Sequence, residues 1–159
     1  CESGVGAMQK NNPEIKALRD ATLKDLEIVE SALEVKVYDR CKYVIEENDR
    51  VLEACQELSA NNISRVGELM FQTHQGLSKL YEVSCKELDI LVNYASREES
   101  VIGSRMMGGG FGGCTINLIE RHTIDQVTER ILSSYKENTG IEAAVYKLNT
   151  SDGAKIIGF

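Results

Sequence analysis

Long apolar runs, paired cysteines and clustered basic residues are all missing from this chain of 159 residues, and each absence removes a class of function. No stretch approaches the roughly 20 apolar residues that a membrane-spanning helix needs, and no signal-peptide pattern opens the chain. The 18 Lys and Arg residues stand singly among 25 Asp and Glu, for a net charge of −7. A nucleic-acid binder displays a basic stripe that releases counterions from phosphates. Without such a stripe, neither nucleic acid nor an anionic membrane surface is an expected partner. A small phosphate ligand remains compatible, because a local nest of backbone N–H groups outweighs a screened net charge.

The five cysteines, at positions 1, 41, 55, 85 and 114, form no C-x-x-C pair and no cluster with histidine, so no zinc ligand set is apparent. Their odd number argues against a disulfide framework. Cys41 and Cys55 fall on an apolar helical face, where cysteine acts as a small hydrophobe. A reducing, cytoplasmic compartment is expected. Proline is nearly absent, with Pro13 alone, so little interrupts long helices. The chain starts at Cys1, and Cys1 to Lys10 already reads as helix interior, so upstream sequence is expected.

What is present reads as helices first and strands later. Thr22 with Asp25 can cap a helix running to about Ala32. Cys41, Val44, Ile45, Val51, Leu52 and Cys55 follow the spacing of one helical stripe, with Glu46, Glu47, Asp49 and Arg50 facing away. Asn61 and Asn62 mark a turn before a helix carrying Val66, Met70, Leu77 and Tyr81. His74, on the flank of that stripe, reads as a satisfied packing histidine, and His122 as an exposed loop residue. Ser84 with Glu87 forms a capping box ahead of a shorter helix, and Thr123 with Gln126 another, whose helix Gly140 ends. Val101 to Met107 and Cys114 to Ile119 are β-compatible, as are Ala143 to Leu148 and Ala154 to Ile157, the last two joined by a turn at Asp152-Gly153. The expected fold is α+β: one domain over 1–159, with helices packed on one face of a mainly antiparallel four-stranded sheet.

The segment that can carry chemistry lies between the first two strands. Five of the six residues from 108 to 113 are glycine. A hairpin needs one or two glycines for positive φ, and each further one makes folding entropically costlier. Such a run is tolerated where the backbone must come close to something, and phosphate is the usual guest; a mobile hairpin without a ligand is the plainer alternative. Gly108, Gly110 and Gly113 formally satisfy a dinucleotide fingerprint, but that motif must open a helix, and Cys114 to Ile119 reads as a strand. No Gly-Lys-Ser/Thr follows, which excludes a Walker A loop.

Ser104-Arg105-Met106-Met107, followed by Gly-Gly-Gly-Phe-Gly-Gly-Cys-Thr, resembles the third motif of the galactokinase branch of the GHMP small-molecule kinases. Tyr81-Glu82-Val83-Ser84-Cys85-Lys86-Glu87-Leu88-Asp89 resembles a second galactokinase signature, and Pro13 to Asp20 and Asp152 to Lys155 are similar too. The likeness spans the chain in order. Two residues depart from the pattern: Met107 stands where threonine is common, removing a hydroxyl beside the loop, and Lys86 where proline is common.

The resemblance implies a GHMP kinase C-terminal domain whose parent transfers the γ-phosphoryl group of ATP, with Mg2+, to the anomeric hydroxyl of galactose. The family's nucleotide motif Pro-x-Gly-x-Gly-Leu-Ser-Ser-Ser and sugar motif Gly-Arg-x-Asn-Leu-Ile-Gly-Glu-His have no match here. The resemblance therefore implies an N-terminal domain as partner and an isolated fragment without activity, with no catalytic base and few or no direct cofactor ligands in these residues. By the same likeness Gly108, Gly109, Gly110, Gly112 and Gly113 border the ATP phosphate site. Arg105 is a supporting candidate that could instead form a surface or interdomain ion pair. Phe111 is expected to clamp the loop by burying its ring. Other GHMP kinases acting on galactosamine, homoserine or mevalonate share the loop, and a stand-alone module sensing a small ligand is the alternative from another class.

Overall fold

Asn61 adopts φ 57°, and the Asn62 side chain accepts from the Arg65 N–H, so the paired asparagines fold a long helix back on its successor. In the computed structural model, which describes residues 1–151, 153 and 156, these are α3 (Val35–Ser59) and α4 (Ile63–Lys79). Before them come α1 (Glu2–Gln9) and α2 (Leu23–Ile28); after them come α5 (Lys86–Ala95), β1 (Val101–Met107), β2 (Cys114–Ile119) and α6 (Ile124–Thr139). The Thr22 cap forms as the sequence suggests: Thr22 N–H donates to Asp25 Oδ2 over 2.9 Å and Asp25 N–H to Thr22 Oγ1 over 3.3 Å. The helix stops at Ile28, and a separate tight turn, Glu30–Ala32, completes the span. Gly140 ends α6 at φ 71°.

Two of the expected caps do not form. Ser84 turns its hydroxyl to Asp89 Oδ1 at 2.6 Å, leaving Cys85 at the helix start. Thr123 donates to the Glu120 carbonyl instead of capping α6. In both cases the hydroxyl is turned to donate to an acceptor outside the helix, and its oxygen accepts no helix N–H.

The apolar stripe of α3 is only half covered. Cys41 and Ile45 join Met8, Ile15, Leu18, Leu26 and Val29 in a core against α1 and α2, while Tyr43 is buried on the α4 side. Farther along, Val51, Leu52 and Cys55 are exposed, contrary to the single buried face their spacing implies. Periodicity identifies an apolar face; burying it takes a neighbour long enough to reach. Glu47 is likewise not a purely solvated face residue, since it accepts from Thr73 Oγ1 at 2.8 Å and pairs with Arg50.

The sheet has two antiparallel strands among the described residues, not four. Ala143 to Leu148 takes no strand conformation, and Tyr146 is 81% exposed. A run of apolar residues makes a strand only where a ladder partner satisfies its N–H and C=O groups. The final expected strand, Ala154 to Ile157, and its turn at Asp152 lie outside the described residues, apart from Gly153 and Ile156.

Where α4 meets β1 the two backbones touch. A Cβ on Gly67 would fall 1.8 Å from the Ile102 carbonyl oxygen, and one on Gly103 2.5 Å from Gly67 Cα. The strand register is irregular at this point, between Val101 and Gly103. Seven residues farther along α4, on the same face, stands His74; three residues farther along β1 is Met106. Seven helical and three extended residues each rise about 10 Å, so helix and strand stay in step and His74 arrives beside Met106. A second core of Ala95, Val101 and Val127, with Phe71, Ile119 and Ile131 packed on it, joins α5 and α6 to the sheet. No helix among the described residues is long and apolar enough to cross a membrane.

Candidate functional site

The hairpin closes at the Met107–Cys114 pair, so residues 108–113 form its loop. The five glycines there are not equivalent. Gly108, Gly110, Gly112 and Gly113 have φ of 84°, 85°, 134° and 97°, values a side chain rarely tolerates. At Gly110 a second constraint applies: a Cβ would lie 2.0 Å from the Val83 carbonyl oxygen. The adjoining Phe111 N–H donates to that same oxygen over 2.7 Å, which draws the loop down onto residue 83.

Gly109 has neither reason to be glycine. Its φ is not positive, and no neighbouring heavy atom of the described residues lies within 4 Å of its Cβ position. The same open space surrounds Gly108, Gly112 and Gly113. The loop is therefore a ridge of bare backbone, anchored on one side and free on the other. Successive peptide N–H groups on such a ridge can cradle an anion without a charged side chain.

Phe111 corrects the sequence expectation. Its ring is 77% exposed, with φ at 58°, so it clamps nothing among the described residues. Its amide, not its ring, makes the contact. Arg105, opposite Ile116 on β2, donates through Nη1 to the Met106 carbonyl at 3.3 Å and lies within electrostatic reach of Tyr43 on α3. Its hydrogen bond is thus with its own strand, among the described residues. The Tyr43 phenol is pushed well above its ordinary range by burial, with Glu47 adding to the effect and Arg50 and Arg105 opposing it.

In the sequence the Tyr81–Asp89 stretch is a family signature with no visible connection to the glycine loop. The fold supplies the connection. Tyr81 N–H donates to the Gly76 carbonyl at 2.9 Å and Val83 N–H to that of Leu77 at 3.0 Å, which folds the segment back over the end of α4. Glu82, in the left-handed region at φ 59°, pairs with Lys36 at 3.3 Å and Arg40 at 3.2 Å. The Tyr81 ring sits 5.3 Å from that of Tyr43. So braced, Val83 presents its carbonyl to the glycine loop.

The other strand-side anchor is His74, buried as expected for a packing histidine. Its Nδ1 accepts the Met106 N–H at 3.2 Å, and its Nε2 lies 3.2 Å from Asp89 Oδ1. A ring nitrogen that accepts carries no proton, so the neutral ring holds its hydrogen on Nε2 and donates to Asp89. Burial holds the imidazole pKa below its usual value; Asp89 pulls the other way, and Lys79 adds to the depression. His122, by contrast, is exposed.

The bare ridge suits an approaching phosphate chain. It does not suit a metal by itself, because no group of three or more acidic, histidine or cysteine side chains is placed to hold one among the described residues.

The family model described as GHMP kinases C terminal matches residues 51–138. A galactokinase of Thermotoga petrophila is 38% identical over 142 residues, which are 89% of this chain and 39% of that protein. A galactokinase of Clostridium beijerinckii is 38% identical over 159 residues, 99% of this chain and 41% of that protein. Among solved structures, the Lactococcus lactis galactokinase complexed with galactose superposes with a TM-score of 0.86 at 28% identity, covering 91% of this chain and 37% of that one. The chain thus spans about two fifths of the length of the relatives it matches.

Proposed function

The chain belongs to the GHMP kinase C-terminal family, and from that premise we propose that it is the C-terminal domain of a galactokinase. The longer parent transfers the γ-phosphoryl group of ATP to the anomeric hydroxyl of galactose, releasing ADP. Residues of this chain form one wall of the site: Gly108, Gly109, Gly110, Gly112 and Gly113 offer backbone to the nucleotide phosphates. An N-terminal domain supplies the main nucleotide loop, the sugar contacts, the reacting groups and the ligands of Mg2+. Phosphoryl transfer depends on positioning and charge stabilisation, to which a preformed backbone cradle contributes without doing covalent chemistry.

The observation that carries this reading is Gly109. A glycine that neither its dihedral nor its neighbours require is accounted for by something outside these residues that must come near its backbone. Phosphate is the ligand class that approaches bare backbone most closely. The galactokinase relatives supply the sugar.

Two measurements test the proposal together. The full-length parent is expected to form ADP and galactose 1-phosphate in equal amounts from ATP and galactose. The 159-residue chain alone, titrated with Mg-ATP or galactose, is expected to bind on the order of millimolar or weaker, since a half-site forfeits most of its contacts. Sub-micromolar binding of either by the chain alone overturns the half-site reading and favours a ligand-sensing module.

A further inference from the structure

The glycine loop has almost no side chains with which to hold its own shape, so its geometry has to be imposed from outside. Two bonds donated by backbone amides impose it: Phe111 N–H to the Val83 carbonyl, and Met106 N–H to His74 Nδ1. Both lead to one carboxylate. Asp89 Oδ1 faces His74 Nε2 at 3.2 Å and accepts from Ser84 Oγ at 2.6 Å, and its Oδ2 accepts from Ser78 Oγ at 2.9 Å. Ser84 directly follows Val83. One side chain of α5 therefore braces the loop where it leaves β1 and again where it crosses residue 83.

Resting on the reading of the loop as a phosphate wall, we infer that His74, oriented by Asp89, is a positioning residue that sets how the glycine loop leaves β1. His74 touches no loop glycine; it acts through the Met106 amide, two residues before Gly108. That amide is directed away from β2, and without the imidazole it has no acceptor in a buried place. The hydroxyls of Ser78 and Ser84 hold one Asp89 oxygen each, so the carboxylate cannot swing, nor the ring flip, without breaking these bonds. The imidazole must stay neutral for the arrangement to hold, because a proton on Nδ1 would set two donors face to face. The charged groups acting on it are Asp89 from α5, which favours protonation, and Lys79 from its own helix, which opposes it.

The test uses two substitutions in the full-length parent. Asparagine places Oδ1 where His74 has Nδ1, so His74→Asn keeps an acceptor for Met106 while losing Asp89. His74→Leu fills similar space and keeps neither bond. Hydrogen exchange at the Met106 and Phe111 amides is compared with that at Val127, a core amide distant from the loop. Leucine is expected to accelerate exchange at Met106 and Phe111 by about tenfold or more relative to Val127, and asparagine far less. The imidazole nitrogen resonances of the unsubstituted protein should show a single tautomer protonated on Nε2. Equal exchange in the two variants, or a rapidly averaging tautomer, overturns the inference. The kinetic arm separates it from the reading it rests on. Leucine should raise the KM for ATP and lower kcat, with asparagine restoring part of both. Loosened loop amides with unchanged ATP kinetics would leave the anchor standing and refute the phosphate wall.

Discussion

Exchanging Gly109 and Gly110 for alanine, one at a time, separates what the loop needs in order to fold from what it needs in order to work. At Gly109 the added methyl meets no atom within 4 Å, and the backbone is not left-handed. Folding should be unharmed or slightly favoured, by about 0–1 kcal/mol through a less flexible unfolded chain, which moves Tm up by no more than about 4 °C. At Gly110 the φ of 85° makes a side chain unfavourable, at a cost of about 1–2 kcal/mol. The 2.0 Å approach to the Val83 carbonyl adds to this, by roughly 1–3 kcal/mol, because a backbone oxygen cannot rotate aside. Together these predict a loss of about 2–5 kcal/mol and a fall in Tm of roughly 4–20 °C for a chain of this size. Catalysis should rank the two differently. If a methyl at 109 denies a phosphate oxygen one charge-assisted hydrogen bond worth about 1.5–3 kcal/mol, kcat/KM for ATP falls about 10- to 150-fold in a parent enzyme that is fully folded. Thermal melts of both variants and steady-state kinetics of Gly109→Ala decide the matter. Unaltered kinetics at Gly109 would refute the claim that its backbone borders a ligand, and an undiminished Tm at Gly110 would refute the contact with Val83.

Two further outcomes follow from the packing. Gly67→Ala drives a methyl to 1.8 Å from the Ile102 carbonyl oxygen, and the gain in helix propensity of about 1 kcal/mol cannot offset it, so a net loss of at least about 2 kcal/mol is expected in denaturant titration; a neutral result would mean that α4 does not press on β1. Stability should also fall with acidity in two stages: burial keeps the folded His74 below its ordinary pKa of 6.5, so its stabilisation is full above about 6.5 and declines below it as the unfolded chain takes up protons first. Asp25, held low by Thr22, and Glu82 and Glu98, held low by Lys36 and Arg130, begin to contribute their losses only nearer the carboxylate range. His74→Leu should remove the first stage and leave the second, as read by melts across pH.

Which parts of this were readable from residues alone depends on how local the physics is. Thr22 with Asp25, Asn62 and Gly140 act within one turn of chain, and their roles are visible in the sequence. The two strands that flank the glycines also stand where their composition puts them, at Val101–Met107 and Cys114–Ile119. Errors begin where a residue has a choice of partner. Ser84 and Glu87 satisfy the pattern of a capping box, yet Asp89 is within reach and charged, and it takes the hydroxyl. Val51, Leu52 and Cys55 keep the helical period beyond the reach of any covering element among the described residues. Ala143 to Leu148 is rich in strand-compatible apolar residues, but no ladder partner among the described residues takes it up. Phe111 misleads for a related reason, since aromatic rings are usually buried, whereas here its amide is held inward and its ring stands free.

The glycine loop shows most clearly why composition is readable and geometry is not. Removing side chains from a stretch of chain frees its backbone for close approach, and that is evident from five glycines among six residues. The same removal strips the stretch of the contacts that would fix its shape. Whatever shape it has must come from residues whose own sequence context does not mention the loop. Val83 and His74 are those residues, and nothing in the spacing between them and Gly108 announces the connection. The Tyr81–Asp89 signature and the glycine motif, which look like two separate marks of one family, are two halves of a single object. One half is too bare to hold itself, and the other is folded over the end of α4 to present a carbonyl and, through Asp89, an imidazole. A sequence that retained the glycines but lost Asp89 would keep the loop's composition without the carboxylate that links its two anchors.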